Sequence, residues 1–101
     1  MRTHWFISRH PAAIRWALRS SVRWRLITHW SALNVQPGDV VAGTLPVHLA
    51  ARVCALGANY FHLVLELQAE DRGLELDDVA FSERKPRLQA FEVTHAQRDD
   101  A

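Results

Sequence analysis

The sequence lacks the features that direct a chain to an oxidising compartment or to a membrane. It has a single cysteine, Cys54, so an internal disulfide is excluded and a reducing compartment, the cytoplasm, is expected. No basic stretch followed by an apolar one opens the chain, so we expect no secretory leader. The apolar run over residues 40–58 contains Pro46, His48 and Arg52, which favours a strand and a helix over a membrane span.

Motifs of the common cofactor-dependent enzymes are also absent. The chain has no glycine-rich dinucleotide fingerprint and no P-loop lysine motif, which argues against the use of NAD or ATP. No pair of histidine, cysteine or carboxylate side chains has the spacing of metal ligands, so we predict no metal and no other cofactor.

Acidic side chains are scarce in the first half of the chain. Residues 1–57 carry seven arginines and one acid, Asp39, whereas residues 58–101 carry five basic and ten acidic groups, so the net charges are +6 and −5. Eleven of the twelve basic side chains are arginine, which suits bidentate contacts with phosphate. Charge alone favours another interpretation, in which the two halves dock on each other within or between subunits.

The pattern of apolar residues predicts one α/β domain over residues 1–101, with about the last seven residues frayed. Strands are predicted over residues 4–8, 22–30, 40–44, 60–67 and 87–94, and helices over 11–21 and 46–56, with a short helix from Asp77 or Asp78 to about residue 85. This alternation is typical of a sandwich with a mostly parallel central sheet flanked by helices.

Two strand–helix junctions are built alike. The first is Ser8-Arg9-His10-Pro11 and the second is Gly43-Thr44-Leu45-Pro46. Each passes from an apolar run through a hydroxyl residue and enters a helix through a proline, which is favoured at the first helical position. Helix starts expose unpaired N–H groups that attract anions, and the carboxyl ends of parallel strands converge at one edge of a sheet. The junctions therefore predict a site for an anionic ligand, a phosphate.

The first junction carries the strongest cluster of candidate residues. The hydroxyl of Ser8 can donate to phosphate, Arg9 can clamp it, and His10 can exchange a proton near neutral pH. The alternative is that Ser8 is a helix cap and Arg9 a solvated loop residue, but a cap accounts for only one of the three.

The second junction offers Thr44 as a natural helix cap and His48 in the first helical turn, where it can take part in proton transfer or lie on the surface. The other candidates have structural explanations. Histidines at positions 4, 29 and 62 lie in predicted strands, Cys54 lies on an apolar helix stripe, and at least three of the four tryptophans are expected to pack in the core.

These junctions carry a resemblance to a known family. The segments Trp5-Phe6-Ile7-Ser8-Arg9-His10-Pro11, Val35-Gln36-Pro37-Gly38-Asp39, Gly43-Thr44-Leu45-Pro46-Val47-His48-Leu49-Ala50-Ala51, Cys54-Ala55-Leu56-Gly57-Ala58 and Tyr60-Phe61-His62-Leu63 resemble a small CRISPR-associated family, the sixteenth of the Csx series. The match spans residues 4 to about 76 and continues more loosely through 91–93. It departs from the family pattern at Ala13, where glycine is expected nearby, and over residues 20–34.

The resemblance implies a Rossmann-like fold, a minimal relative of the CARF domain of type III CRISPR systems, which binds cyclic oligoadenylate across the two-fold axis of a dimer. It further implies a ring nuclease that acts as a homodimer and degrades cyclic tetra-adenylate. We expect neither a membrane nor a long nucleic acid among its partners. Such cleavage requires no metal, because the ribose 2′-hydroxyl can attack the adjacent phosphate and leave a 2′,3′-cyclic phosphate.

By motif position and chemistry, catalytic roles are assigned to Arg9, His10 and His48. The residues predicted to bind the ligand are Ser8, Arg9, Pro11, Gly43, Thr44, Leu45 and Pro46. Two alternatives remain open at this point: a module that binds the same ligand without cutting it, and a structural domain whose oppositely charged halves pair between subunits.

Overall fold

A five-stranded sheet with helices on both faces forms the centre of the molecule, and the computed structural model describes residues 2–32 and 34–97. The strands are β1 (His4–Ile7), β2 (Arg25–Ile27), β3 (Val40–Gly43), β4 (Asn59–Val64) and β5 (Arg87–Phe91). The helices are α1 (Pro11–Leu18), α2 (Val47–Ala55) and α3 (Asp78–Glu83), with 3₁₀ turns at Trp30–Ala32 and Ala69–Asp71. The predicted α/β sandwich with a mostly parallel, Rossmann-like sheet is confirmed.

The order of the strands creates a switch point between β1 and β3. The sheet runs β2-β1-β3-β4-β5, with β1 to β4 parallel and β5 antiparallel to β4. The chain leaves β1 towards one edge to form β2, then returns past β1 to form β3 on its other side. Loops at such a point diverge to opposite faces of the sheet, and the crevice between them is where ligands bind in open α/β sheets.

Successive residues along each strand point to opposite faces of the sheet, and their side chains pack in two separate cores. Phe6 and Ala42 face α1 and α3, whereas Trp5, Val41 and Tyr60 face α2. All four residues of β3 are buried, which explains why this strand is a continuous apolar run in the sequence.

Each of the four tryptophans belongs to one of the two cores or packs against it. One is buried, and the other three are half-buried against the core clusters (Trp5, Trp16, Trp24 and Trp30). The prediction that at least three of them pack in the core is therefore confirmed.

Several predicted boundaries are wrong by one or more residues, most of all at β2. The strand predicted over residues 22–30 is only Arg25–Ile27, because it lies at the edge of the sheet and pairs with β1 alone. The helix predicted to reach residue 21 ends at Leu18, and the last strand ends at Phe91. Of the two residues predicted for the start of the short helix, Asp77 is the one that caps α3, since its Oδ1 accepts the amide hydrogen of Ala80 at 2.8 Å. Most of the predicted frayed terminus, residues 98–101, lies outside the described residues.

The one acid of the basic half, Asp39, is a buried anchor of the sheet. Its carboxylate accepts hydrogen bonds from the amides of Thr3 (2.9 Å) and Gln36 (2.9 Å) and from the indole of Trp5 (3.1 Å). Burial raises the pKa of the Asp39 carboxyl, but these hydrogen bonds outweigh burial and leave that pKa below its ordinary value. The contacts hold the start of β3 beside the start of β1, and so set the register in which both strands end together.

Part of the predicted docking between oppositely charged halves occurs within the chain. Arg15 of α1 lies 2.7 Å from the carboxylate of Asp78 on α3, and Arg19 lies 3.9 Å from it. Both contacts are about half exposed to solvent, so they contribute little to stability.

Within residues 2–32 and 34–97, no helix has the length and apolar character needed to cross a membrane.

Candidate functional site

The ends of β1 and β3 lie side by side at the switch point. Ile7 is paired with Gly43, so the two junctions leave the sheet at the same level. A Cβ atom at Gly43 would lie 2.5 Å from the carbonyl oxygen of Ile7, and its φ of +145° is one that other residues rarely adopt. Glycine is therefore required here by the close approach of the two backbones.

A pocket of about 250 Å³ opens between the two junctions, and we refer to it as the strand-end pocket. Its polar lining comes from Ser8, Arg9, His10 and Thr44. Its apolar floor is formed by Ile7, Ala13, Leu63, Leu65 and Phe81. Four of the residues assigned from sequence to the ligand or the chemistry are thus brought together at one place.

Ser8 is not a helix cap. The N-cap position of α1 is His10, with Pro11 as the first helical residue, and the cap lacks a side-chain hydrogen bond. The hydroxyl of Ser8 instead accepts the amide hydrogen of His10 at 3.0 Å, within the loop. This contact uses the oxygen as acceptor, so the hydroxyl hydrogen is available to donate to a ligand.

The imidazole of His10 has a polar atom without a partner. Its Nδ1 is buried and makes no hydrogen bond among the residues that the structure describes. The ring packs against Phe81, with 5.8 Å between ring centroids. Buried polar atoms are nearly always hydrogen-bonded in folded proteins, so the unpaired Nδ1 of His10 is an exception that calls for an explanation.

Arg9 is exposed and oriented by the neighbouring strand. Its Nε donates to the carbonyl oxygen of Thr28 at 3.0 Å, just beyond β2. Within residues 2–32 and 34–97 it makes no ion pair with a carboxylate. The hydrogen bond keeps the guanidinium at the edge of the sheet, where no described carboxylate compensates its charge.

The loop after β3 is fastened by a residue that the sequence reasoning missed. The buried hydroxyl of Tyr60 on β4 accepts the amide hydrogen of Leu45 at 3.0 Å, and lies 3.3 Å from the carbonyl oxygen of Gly43 and 2.7 Å from Nδ1 of His62. Burial raises the pKa of Tyr60, so its hydroxyl stays protonated. The amide of Leu45, predicted to bind the ligand, is thus already engaged within the chain. In the sequence Tyr60 is one more member of an apolar strand, and nothing marks its hydroxyl.

The second helix start differs from its prediction. Pro46 is the N-cap of α2, so neither is Thr44 the cap nor is Pro46 the first helical residue. His48 lies exposed in the first turn of α2, on the face of the sheet opposite α1, and is outside the lining of the strand-end pocket. His48 and His10 therefore lie on opposite faces of the sheet. Pro11, one of the residues predicted to bind the ligand, is exposed at the first position of α1.

Comparison with known proteins finds one family whose model covers both junctions. A family model described as "Putative CRISPR-associated protein (Cas_VVA1548)" matches residues 5–94, which include both junctions, all three helices and all of the sheet except His4. The chain belongs to this CRISPR-associated family. No curated protein and no solved structure matches the chain significantly.

Two of the other histidines of this Cas-family chain, His4 and His29, contact neighbouring side chains. The ring of His4 meets that of Trp24 at 5.9 Å, and Nδ1 of His29 lies 2.7 Å from the hydroxyl of Ser31. Among the residues that the structure describes, no three histidine, cysteine or carboxylate side chains are grouped as metal ligands would be.

Proposed function

We propose that this protein is a ring nuclease of type III CRISPR systems, equivalent to the sixteenth Csx family, that binds and cleaves cyclic tetra-adenylate. The observation that carries the proposal is the strand-end pocket, where a hydroxyl, an uncompensated arginine and a histidine with an unpaired nitrogen meet at the switch point of the sheet. Membership of a CRISPR-associated family supports a role in that defence system. The resemblance described above supplies the ligand.

The cleavage that fits this pocket is an attack by the ligand's own ribose. The 2′-oxygen forms a bond to the adjacent phosphorus while the bond from phosphorus to the 5′-oxygen breaks. The 2′-hydroxyl loses its proton and the 5′-oxygen gains one, so the products are a 2′,3′-cyclic phosphate and a free 5′-hydroxyl. Alignment of the three atoms and stabilisation of the negative charge on the phosphate oxygens are the largest contributions that a protein makes to such a reaction.

The residues of the strand-end pocket divide these tasks. Arg9 neutralises the charge that develops on the phosphate oxygens, and the hydroxyls of Ser8 and Thr44 donate hydrogen bonds that orient it. His10 exchanges the proton through its imidazole ring, a contribution typically of about 10²–10⁴-fold in rate. Leu45 supports the loop through its contact with Tyr60 and does not donate directly.

A homodimer completes the proposed site. Cyclic tetra-adenylate has symmetry that matches a two-fold axis, and a C2 dimer presents two copies of each junction to it. Two copies of Arg9 would then face a ligand with four phosphates. We also propose that the protein acts in the cytoplasm, where its single cysteine stays reduced.

One observation favours a second candidate, a module that binds the cyclic ligand without cutting it. Of the six histidines of the chain, the pocket in one protomer is lined by His10 alone, whereas efficient cleavage uses both a base and an acid. His48, the other predicted catalytic histidine, lies on the opposite face of the sheet. Binding requires only the arginine, the hydroxyls and the amides.

The deciding experiment is chromatography of the products after incubation of the purified protein with cyclic tri-, tetra- and hexa-adenylate. Reactions are run with a chelator and with added Mg²⁺. We expect cyclic tetra-adenylate to be converted under both conditions into linear products that end in a 2′,3′-cyclic phosphate. If cyclic tetra-adenylate is still intact after several hours under both conditions, the proposed cleavage activity is refuted.

Paired variants separate cleavage from binding. His10→Ala is expected to lose turnover and to keep the affinity for cyclic tetra-adenylate, as measured by calorimetry. His48→Ala, which lies outside the pocket within the protomer, tests whether a second histidine contributes across the dimer. A protein that binds the ligand and never cuts it is the non-catalytic module, and one that binds no cyclic oligoadenylate is a structural domain.

A further inference from the structure

A second, larger pocket lies on the other side of His10. It has a volume of about 570 Å³ and is formed by His10 together with the segment between β4 and α3. We refer to it as the leucine pocket, because its apolar walls are Leu65, Leu67, Leu74 and Leu76. Two of these, Leu67 and Leu74, are exposed by 63% and 64%, which is unusual for leucines that face one cavity.

The walls of the leucine pocket are held in place without any ligand. Arg84 donates to both carboxylate oxygens of Asp71, with 2.8 Å between Nη2 and Oδ1, and the same carboxylate accepts the amide hydrogen of Gln68 at 2.9 Å. The amide of Glu66 donates to the carbonyl oxygen of Arg84 at 2.7 Å, which joins the segment to the end of α3. The exposed leucines are therefore carried on an ordered frame.

The charged side chains in the lining of the leucine pocket are Asp71 and Arg72. Asp71 is the one acid in its lining, and Arg84 compensates its charge from behind the wall. Arg72 also lines the pocket, and its planar guanidinium can stack on an aromatic ring. The lining thus combines apolar surface, one cation and the imidazole of His10.

The two pockets are neighbours, because His10 and Leu65 line both of them. The strand-end pocket, at about 250 Å³, is smaller than the 300–1,000 Å³ that small-molecule sites usually have, whereas the leucine pocket lies within that range. We propose that the leucine pocket binds the base of the nucleotide whose phosphate occupies the strand-end pocket. The apolar walls would cover one face of the ring, and Arg72 would stack on the other.

This inference rests on the proposed function for the identity of the ligand, but it concerns a different part of the surface. It assigns base recognition to a segment, residues 65–76, that carries none of the residues assigned from sequence to the ligand or the chemistry. It also predicts that removal of the exposed leucines weakens binding of the base and leaves the phosphate site intact.

The test uses a double variant, Leu67→Ala with Leu74→Ala. Because both side chains are mostly exposed, their truncation should leave the fold unchanged, which the amide NMR spectrum verifies. The matched control is Leu56→Ala, an exposed leucine that follows α2 on the other face of the sheet. We expect the double variant to bind cyclic tetra-adenylate at least about tenfold more weakly, with the KM rising and kcat little changed, whereas the control matches the wild type.

A second arm makes the inference independent of ring cleavage. The wild-type protein, with its leucine methyl groups labelled, is titrated with adenosine, uridine and inorganic phosphate at millimolar concentrations. We expect adenosine to shift the methyl signals of Leu67 and Leu74, uridine to shift them less, and phosphate to leave them in place. The two single variants assign these signals.

The outcomes separate the two proposals. If adenosine shifts neither methyl group and the double variant cleaves cyclic tetra-adenylate with an unchanged KM, the base pocket is refuted and the ring nuclease stands. If the protein does not act on cyclic tetra-adenylate but adenosine shifts both methyl groups, the ring nuclease is refuted and the base pocket stands. Equal shifts with adenosine and uridine would overturn a preference for purines.

Discussion

The hydroxyl group of Tyr60 connects the interior of the sheet to the loop that carries Thr44. It is the partner of the Leu45 amide at 3.0 Å and lies within 3.3 Å of the Gly43 carbonyl oxygen, so it fixes both ends of that loop. Nδ1 of His62, at 2.7 Å, is its third neighbour. The position of Thr44 relative to Ser8 therefore depends on Tyr60, a residue that belongs to neither junction in the sequence.

Tyr60→Phe removes this hydroxyl and retains the ring. The amide of Leu45 then loses its partner in a buried position, at a cost of about 1–3 kcal/mol in the free energy of unfolding. Because Thr44 is no longer held in place, we expect turnover of cyclic tetra-adenylate to fall by roughly 10–100-fold. Urea denaturation and single-turnover kinetics measure the two effects.

Ser82→Ala is the control for this variant, because it removes a hydroxyl from the exposed surface of α3. It should match the wild type in both measurements. A Tyr60→Phe protein with wild-type stability and turnover would show that the loop is held by other contacts.

The sequence is informative about single residues where their neighbours along the chain decide their environment. Ser8, Arg9 and His10 could be identified because a hydroxyl, an arginine and a histidine follow a strand and precede a helix. Tyr60 could not, because its partner Leu45 lies 15 positions away. Asp39 reads as a turn residue, since its contact with the indole of Trp5 spans 34 positions.

Among the elements, the segment between β4 and α3 depends on one ion pair. Asp71 and Arg84 are both largely buried, and Arg84 together with the amide of Gln68 lowers the pKa of Asp71 to about 2. The ordinary value of an aspartate is about 3.9, so the folded state favours the ionised carboxylate. The pair therefore stabilises the fold fully above about pH 4, and this contribution is lost as the pH falls through about 2.

Asp71→Asn should consequently lower the free energy of unfolding at pH 7. The difference from the wild type should shrink as the pH is lowered from about 4 towards 2, because the wild-type carboxylate then becomes protonated as well. Denaturant titrations at a series of pH values measure this difference.

The matched control is Glu66→Gln, which removes the exposed ion pair with Lys85 at 3.6 Å. Exposed pairs contribute little, so this variant should match the wild type at every pH. A difference between Asp71→Asn and wild type that stays constant down to pH 2 would contradict the assignment.

The order of the elements follows from the sequence, but their lengths do not. Apolar runs and turn residues place all five strands and all three helices in the right order. The second strand is predicted too long because residues 22–30 are rich in β-forming side chains, whereas its length is limited by pairing with β1 alone. Pairing at a sheet edge is a tertiary property that local pattern does not record.

At the scale of the whole molecule, the strand order determines which residues meet. The sequence predicts a mostly parallel sheet, but not that β1 and β3 are neighbours with β2 displaced to the edge. That arrangement brings the first junction beside the second and sends α1 and α2 to opposite faces. It also explains why only one of the two predicted catalytic histidines, His10, lines the strand-end pocket.

The most direct test of the account is to map where cyclic tetra-adenylate binds. The amide chemical shifts of ¹⁵N-labelled protein are followed during titration, in the His10→Ala variant so that the ligand stays intact. We expect the largest changes to fall on residues 8–13 and 43–45, the two junctions of the strand-end pocket, and on residues 65–76 beside them. Changes concentrated instead on α2 and β5, or none at all, would contradict the account.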